Sequence, residues 1–253
     1  MDQNHFDVGA LLAPPQIMDA RRVLCIQPHP DDNEIGMGGT IAVLAARGCE
    51  VHYLTVTDGD LGNRDITATR EQTAEQRRKE TETAGRHLGA TFFHYLHHGD
   101  STLKDVKELS IEIAQVIRKV QPEVIFCPDP YLHYEGHYDH VVTGLAAADA
   151  FHLSGVRHFP LEDGCLAFNA GAIGFYFTAQ PNTVIDISAY FERKFEAIAL
   201  HQSQMDGKTL AMYRVYFQMK GVELAKDRGF ALGEGLKVLS PLHMHCFVDA
   251  HKI

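Results

Sequence analysis

Three things are scarce in this sequence: paired cysteines, long apolar runs and clustered positive charge. The five cysteines, Cys25, Cys49, Cys127, Cys165 and Cys246, are scattered and form no CxxC pair. That argues against a disulfide framework and a cysteine-based zinc site, and it reads as reduced thiols in a cytoplasmic protein. No apolar stretch approaches the roughly 20 residues a membrane helix needs. The start, Met1-Asp2-Gln3-Asn4-His5, lacks the basic and apolar regions of a secretory signal. Acidic residues outnumber basic ones, 33 to 23, for a net charge of −10 with histidine neutral. With no Lys/Arg-rich run, such a chain is a poor partner for nucleic acid. There is no GxSxG elbow and no P-loop, which argues against a serine hydrolase and a P-loop nucleotide hydrolase. Gly36-Met37-Gly38-Gly39 is not GxGxxG, and the loop from Asp58 to Asn63 has Gly62 and Asn63 where a calcium loop wants Asp or Asn and then Gly.

What is present is an ordinary apolar fraction, 45% of 253 residues, enough for a sizeable core. Residues 1–20 read as a lead-in. Apolar and β-branched runs at 23–27, 51–57, 91–96 and 123–127 read as strands. Helical spacing falls at 36–48, 69–88, 105–120 and 140–152, with Gly48, Gly89 and Pro122 as stops. The later part is less regular, with strands expected at 172–177 and 184–187 and helices at 191–202 and 209–226. Alternating strands and helices imply an α/β fold: a Rossmann-like, mostly parallel sheet flanked by helices, with extra C-terminal strands and helices. No repeat or linker interrupts it, so residues 1–253 read as one domain. If the strand order begins 3-2-1-4, strands one and four are neighbours where the order reverses, the place where open α/β sheets bind ligands.

Two clusters follow those two strands. One is Pro28-His29-Pro30-Asp31-Asp32 and the other is His137-Tyr138-Asp139-His140. His29 and Asp32, three apart in a turn, can both reach inward, and one histidine of the second cluster would complete a His-His-Asp site of the kind that holds catalytic zinc. Such an ion brings the pKa of water it binds to about 7. Asp31 is then the candidate base, and the remaining histidine could steady an oxyanion. The plain alternative is that Asp31 and Asp32 cap a helix and the histidines are incidental. Asp139 reads as a third ligand, a partner orienting a histidine, or a cap, with the second favoured. His94, His97 and His98 read as a loop rim, and Phe175, Tyr176 and Phe177 as core or as an aromatic platform.

At these residues the chain resembles the PIG-L/LmbE-like family of zinc-dependent N-deacetylases. The motifs that carry the resemblance are Pro28-His29-Pro30-Asp31-Asp32, Gly36-Met37-Gly38-Gly39, Thr57-Asp58-Gly59, Arg77 with Glu80, Leu88-Gly89 and His137-Tyr138-Asp139-His140. They stand in the family's order across residues 20–155. The resemblance implies one Zn2+ per subunit held by His29, Asp32 and His140. It also implies Asp31 as general base, later returning the proton to the amine, and His137 as stabiliser of the oxyanion. Arg77 and Glu80 are expected near the substrate mouth, and Asp58 and Asp139 are expected to bind substrate or support the ligands.

Further segments are similar to the diacetylchitobiose deacetylase branch of that family: Gln27-Pro28-His29, Thr57-Asp58-Gly59-Asp60-Leu61-Gly62, Tyr134-Glu135-Gly136-His137, His201-Gln202-Ser203-Gln204 and Leu242-His243-Met244-His245-Cys246. In that branch a C-terminal histidine approaches a neighbouring subunit's site in a hexamer. His243 or His245 could play that part, since alternation would put both on one face of a terminal strand. The resemblance thus implies a homo-oligomer and an amino-sugar substrate, while charge and hydropathy lead us to expect no nucleic acid or membrane partner. The expected activity is hydrolysis of the acetamide of N,N'-diacetylchitobiose. The N-acetylglucosaminyl-malate deacetylase of bacillithiol synthesis stands as the alternative. Two other classes compete: a metal-dependent phosphoesterase, which would want more basic residues, and a non-catalytic sugar-binding protein, which would not need Asp31.

Overall fold

In the computed structural model, residues 12–159 and 164–253 are described. Residues 1–11 of the expected lead-in lie outside the described residues, while Ile17 is buried in the core. Among the described residues, seven strands form one mixed sheet in the order β3-β2-β1-β4-β5-β7-β6. They are β1 (Arg22–Gln27), β2 (Glu50–Thr57), β3 (Phe92–His98), β4 (Val124–Pro128), β5 (Ala172–Tyr176), β6 (Thr183–Asp186) and β7 (Gly233–Leu239). The first five run parallel, with Val23 opposite both Val51 and Val124. β7 pairs antiparallel with β5 and with β6.

Six α-helices flank the sheet among the described residues: α1 (Asp32–Ala46), α2 (Arg70–Leu88), α3 (Val106–Val120), α4 (Tyr138–Leu153), α5 (Phe191–Ala199) and α6 (Gly207–Ala225). The strand period of two sorts the core into layers. Val23, Cys25, Val51, Tyr53 and Phe126 face Ile41, Leu44, Leu88 and Phe195 of α1, α2 and α5. Leu24, Ile26, Leu54 and Ile125 face Leu109, Ile113, Val142 and Ala146 of α3 and α4. Burial on both faces is why these strands read as near-continuous apolar runs. The order β3-β2-β1-β4 is the one expected from the sequence, and it makes β1 and β4 neighbours at the reversal point.

Three local expectations are corrected. α1 begins at Asp32, not at Gly36, because Asp32, Asn33 and Glu34 already occupy its first turn. β7 was not expected: its start, Gly233-Glu234-Gly235, lacks β-forming residues. The segment around residues 242–246 is a run of turns rather than a strand, with the Met244 amide donating to the Ser240 carbonyl and the His245 amide to the Leu242 carbonyl. The alternation argument for His243 and His245 therefore does not hold. His243 is 3% exposed, whereas His245 is exposed.

Candidate metal-dependent active site

The loop after β1 is fixed before any chemistry begins. The Pro28 carbonyl accepts from the Thr57 amide and hydroxyl at 2.9 and 2.8 Å. Gln27 accepts from the Asn33 amide at 3.0 Å, and Asn33 Nδ2 donates back to the Cys25 carbonyl at 3.2 Å. The Asp32 carboxylate accepts from the His29 amide at 2.9 Å. Between them Asp31 takes φ = +120°, a conformation costly for a non-glycine residue, of order 1–3 kcal/mol. Arg77 of α2 meets it from behind, donating to the carbonyls of Pro30 (2.7 Å) and Gly59 (2.9 Å), with Nη2 3.5 Å from Asp31 Oδ2.

Asp32 lies between two imidazoles. Its Oδ2 is 3.3 Å from His29 Nδ1, and its Oδ1 is 3.3 Å from His140 Nε2. The ligand atoms of His29, Asp32 and His140 all lie within 4.8 Å of one another. A mixed nitrogen and oxygen set of this size suits a divalent ion such as zinc. His29, His137 and Asp139 form a second compact group on the other side of the His29 ring. There, however, Asp139 Oδ2 already accepts from the Ser101 amide at 2.7 Å and faces His29 Nε2 at 3.3 Å. Asp32 and His140, by contrast, border an open cleft of about 1090 Å³ together with Asp31 and His137. The first group fits a metal; in the second, Asp139 is placed to orient His29.

Electrostatics follow from this crowding. Burial pushes the Asp31 carboxyl up to about 6, with Asp32 adding to the rise and Arg77 opposing it. Burial would also raise Asp32, but His140 and His29 more than offset it and hold that carboxyl well below the usual range. Burial opposes charge on His29, yet Asp100, Asp139 and Asp32 together raise its pKa well above the ordinary value. His137 is held below its ordinary value, by burial first and then by His29 and His140. Adjacent groups thus have their proton affinities pushed apart, the usual condition for dividing base and ligand roles.

A family model described as PIG-L, GlcNAc-PI de-N-acetylase, matches residues 24–151, about half of the chain. This chain belongs to the PIG-L family. It is 36% identical over 238 residues to the diacetylchitobiose deacetylase of Thermococcus kodakarensis, covering 93% of this chain and 89% of that one. It is 30% identical over 199 residues to a probable N-acetyl-alpha-D-glucosaminyl L-malate deacetylase 2 of Bacillus cereus, covering 74% and 84%. Among solved structures, the N,N'-diacetylchitobiose deacetylase of Pyrococcus horikoshii, complexed with an inhibitor, superposes with a TM-score of 0.86 at 36% identity, over 91% of this chain and 89% of that one.

Within this PIG-L fold, several residues sit elsewhere than the sequence led us to expect. Arg77 and Glu80 are 4% and 9% exposed and lie beneath the loops, not at the mouth. Asp58 turns to His97, its Oδ1 2.9 Å from Nδ1. The turns after β7 lie at the opposite end of the strands from the site, because β7 runs antiparallel to β5 and its last residue, Leu239, pairs with Ile173. The His245 ring is 6.3 Å from that of His152, at the far end of α4 from His137. At 1.5 Å per residue that end is about 22 Å away. Other residues at the site escaped sequence reasoning. Asp100 Oδ1 is 3.5 Å from His29 Nε2. Glu34 and His201, both fully buried behind Asp31, approach to 3.3 Å. Glu135 Oε2 stands 3.5 Å from His140 Nδ1. Glu135 and His201 fall in segments that carry the branch resemblance, though without an assigned role, and Glu34 stands two residues after Asp32; Asp100 had no such signal.

Proposed function

We propose that this protein is a zinc-dependent N-deacetylase that hydrolyses the acetamide of N,N'-diacetylchitobiose, giving acetate and a free amino sugar. One observation carries this reading: the 36% identity to a diacetylchitobiose deacetylase runs over 93% of the chain. The His29, Asp32 and His140 group beside Asp31 supports it. The cleft, at the upper end of small-ligand sites, has room for a disaccharide beyond the reacting amide. His29, Asp32 and His140 would hold the ion. When bound, it acidifies water and polarises the amide carbonyl.

The chain's own groups supply the remaining chemistry. Asp31 takes a proton from the attacking water as its oxygen bonds to the acetyl carbon. His137, exposed to the cleft, donates an imidazole N–H to the oxygen that gains negative charge. Asp31 then delivers its proton to the sugar nitrogen as the C–N bond breaks. Asp139 and Asp100 keep His29 oriented.

We read residues 1–253 as one deacetylase domain, since β7 joins the same sheet as β1. Free thiols at Cys25, Cys49 and Cys127 suit a reducing cytoplasm. Among the described residues no helix is long and apolar enough to cross a membrane. A homo-oligomer, with a hexamer as the form to test, would let His245 act in a neighbouring site, since its own lies about 22 Å away. The exposure of His245 favours it over the buried His243.

The test is acetate release from N,N'-diacetylchitobiose by zinc-loaded protein, with a chelated sample as control. Zinc-dependent release is the expected result. No release, with turnover of N-acetylglucosaminyl-malate instead, would transfer the assignment to the activity of the Bacillus relative.

A further inference from the structure

The segment His201-Gln202-Ser203-Gln204 lies outside the matched family region and has no part in the chemistry above. It nevertheless touches the start of α1, the middle of α2 and the loop after β2. His201 Nε2 is 3.3 Å from Glu34 Oε2, in the first turn of α1 just after Asp31 and Asp32. The Ser203 amide and hydroxyl both donate to the Glu80 carboxylate, at 2.9 and 2.5 Å. The Ser203 carbonyl accepts from the Arg64 amide at 3.0 Å. Gln204 Nε2 donates to the Gly62 carbonyl at 2.6 Å.

These contacts converge on Arg77, one turn before Glu80 on α2. A Cβ placed on Gly62 would lie 3.1 Å from Arg77 Nη1 and 3.2 Å from Gln204 Oε1, so the backbone here is sandwiched between the two side chains. At Gly59, which has φ = +59°, a Cβ would come within 2.5 Å of Arg77 Nη1 and 2.9 Å of Pro30 Cδ. Gln204, Gly62, Arg77, Gly59 and Pro30 thus form one continuous stack. It ends at the peptide that holds Asp31 in its costly conformation. Glu80 takes a further bond from Gln76 Nε2 at 2.9 Å, and Asn63 Nδ2 reaches Gln76 Oε1 at 3.2 Å, closing the loop of residues 58–63 from its other side.

We infer that Ser203 and Gln204 are positioning residues for Asp31: they clamp the 58–63 loop and α2 so that Arg77 holds the Pro30–Asp31 turn in its reactive geometry. Gln204 also borders the cleft, so the clamp lies beside the substrate path. The inference rests on the deacetylase reading for its kinetic consequence, but its structural consequence is independent of substrate.

The test uses Ser203→Ala and Gln204→Met in the full-length zinc-loaded protein; Met keeps the volume of Gln and removes the donor. Three quantities are read: amide hydrogen exchange, kcat and KM on N,N'-diacetylchitobiose, and zinc content. We expect faster exchange confined to residues 28–33 and 58–64, and kcat reduced about tenfold or more with KM little changed. Displacements of an ångström at a reacting group can cost that much. Zinc content and melting temperature should stay close to wild type. Wild-type exchange and kcat in both variants would overturn the inference. So would a loss of kcat accompanied by released zinc or by faster exchange throughout the sheet, which would make the turn a general prop of the fold. Should the wild-type protein fail to turn over the disaccharide while exchange still rises only in these two loops, the clamp stands and the substrate assignment falls.

Discussion

His29 and Asp139 meet at 3.3 Å through Nε2 and Oδ2, on the face of the imidazole turned away from Asp32. One ring therefore carries both halves of a carboxylate–histidine–metal arrangement: Nδ1 toward the ligand group, Nε2 toward a carboxylate that fixes its tautomer and angle. The Ser101 amide, 2.7 Å from the same Asp139 oxygen, keeps that carboxylate in place. Asp139→Asn should therefore weaken zinc binding by about 10- to 100-fold, measured by competition with a chelator. Unaltered affinity would reduce Asp139 to a buried helix-start residue.

Asp31 and His140 should separate under substitution. Asp31→Asn is expected to keep zinc and lose about 10²- to 10⁴-fold in kcat, the range for removal of a general base. His140→Ala should lose both. Zinc at about 1,000 times its dissociation constant adds roughly 4 kcal/mol to stability. The zinc-induced rise in melting temperature should thus survive in Asp31→Asn and vanish in His140→Ala. Because burial pushes Asp31 up to about 6, and the base must be ionised, activity should fall as pH drops through that region. A bound cation favours the carboxylate and moves that limb lower. A flat acidic profile would argue against Asp31 as the base.

His201 offers a stability measurement with a definite sign. Burial alone would lower its pKa, but the Glu34 carboxylate more than offsets this and raises it above 6.5. A histidine raised on folding contributes stability that is full below its unfolded pKa and is lost as pH rises through its folded one. The melting-temperature gap between wild type and His201→Gln should therefore be widest below pH 6.5 and narrow as pH increases above it. A gap that widens with pH would mean that His201 is neutral in the fold.

Gly36 tests packing at the base of the site. A Cβ there would lie 2.4 Å from Cδ2 of Tyr176, whose hydroxyl donates to the Ile26 carbonyl at 2.9 Å. The ring cannot yield without disturbing that bond. Gly36→Ala should cost about 1–3 kcal/mol, the usual penalty for overpacking a core, read from denaturant unfolding. An unchanged midpoint would show that the ring moves freely.

Why some of this was legible in the sequence and some was not has a physical explanation. Strands β1, β2 and β4 are buried on both faces, so their apolar runs were plain; His29 and Asp32 stand just after β1, and His140 follows β4 across the loop of residues 129–137. Asp31 and Asp32 were visible for the same reason, although their place just before and at the start of α1 also matched helix capping. Arg77 and Glu80 were visible as residues but not as buried loop ties, because a charged helix segment looks solvated until the loops that cover it are known. The pairing of Glu34 with His201 spans 167 positions, and nothing local marks either as a partner. β7 begins with glycines that allow close approach of Pro181 and Leu224, a reason that exists only in three dimensions.

The exposed His245 permits a test across subunits. It sits near His152, about 22 Å along α4 from the site of its own chain, so no side-chain motion brings it to that site. If it takes part in catalysis, it does so in another copy. His245→Ala alone should then lower turnover while leaving zinc content intact. Mixing His245→Ala with Asp31→Asn, after dissociation and reassembly, should give more activity than the average of the two variants measured separately. The excess arises because some sites combine an intact Asp31 from one copy with an intact His245 from the other. Activity in the mixture equal to the average of the separate variants would confine the reaction to single chains. Wild-type turnover in His245→Ala would remove the residue from the reaction altogether, and the exposed turn would then serve contact between copies or nothing at all.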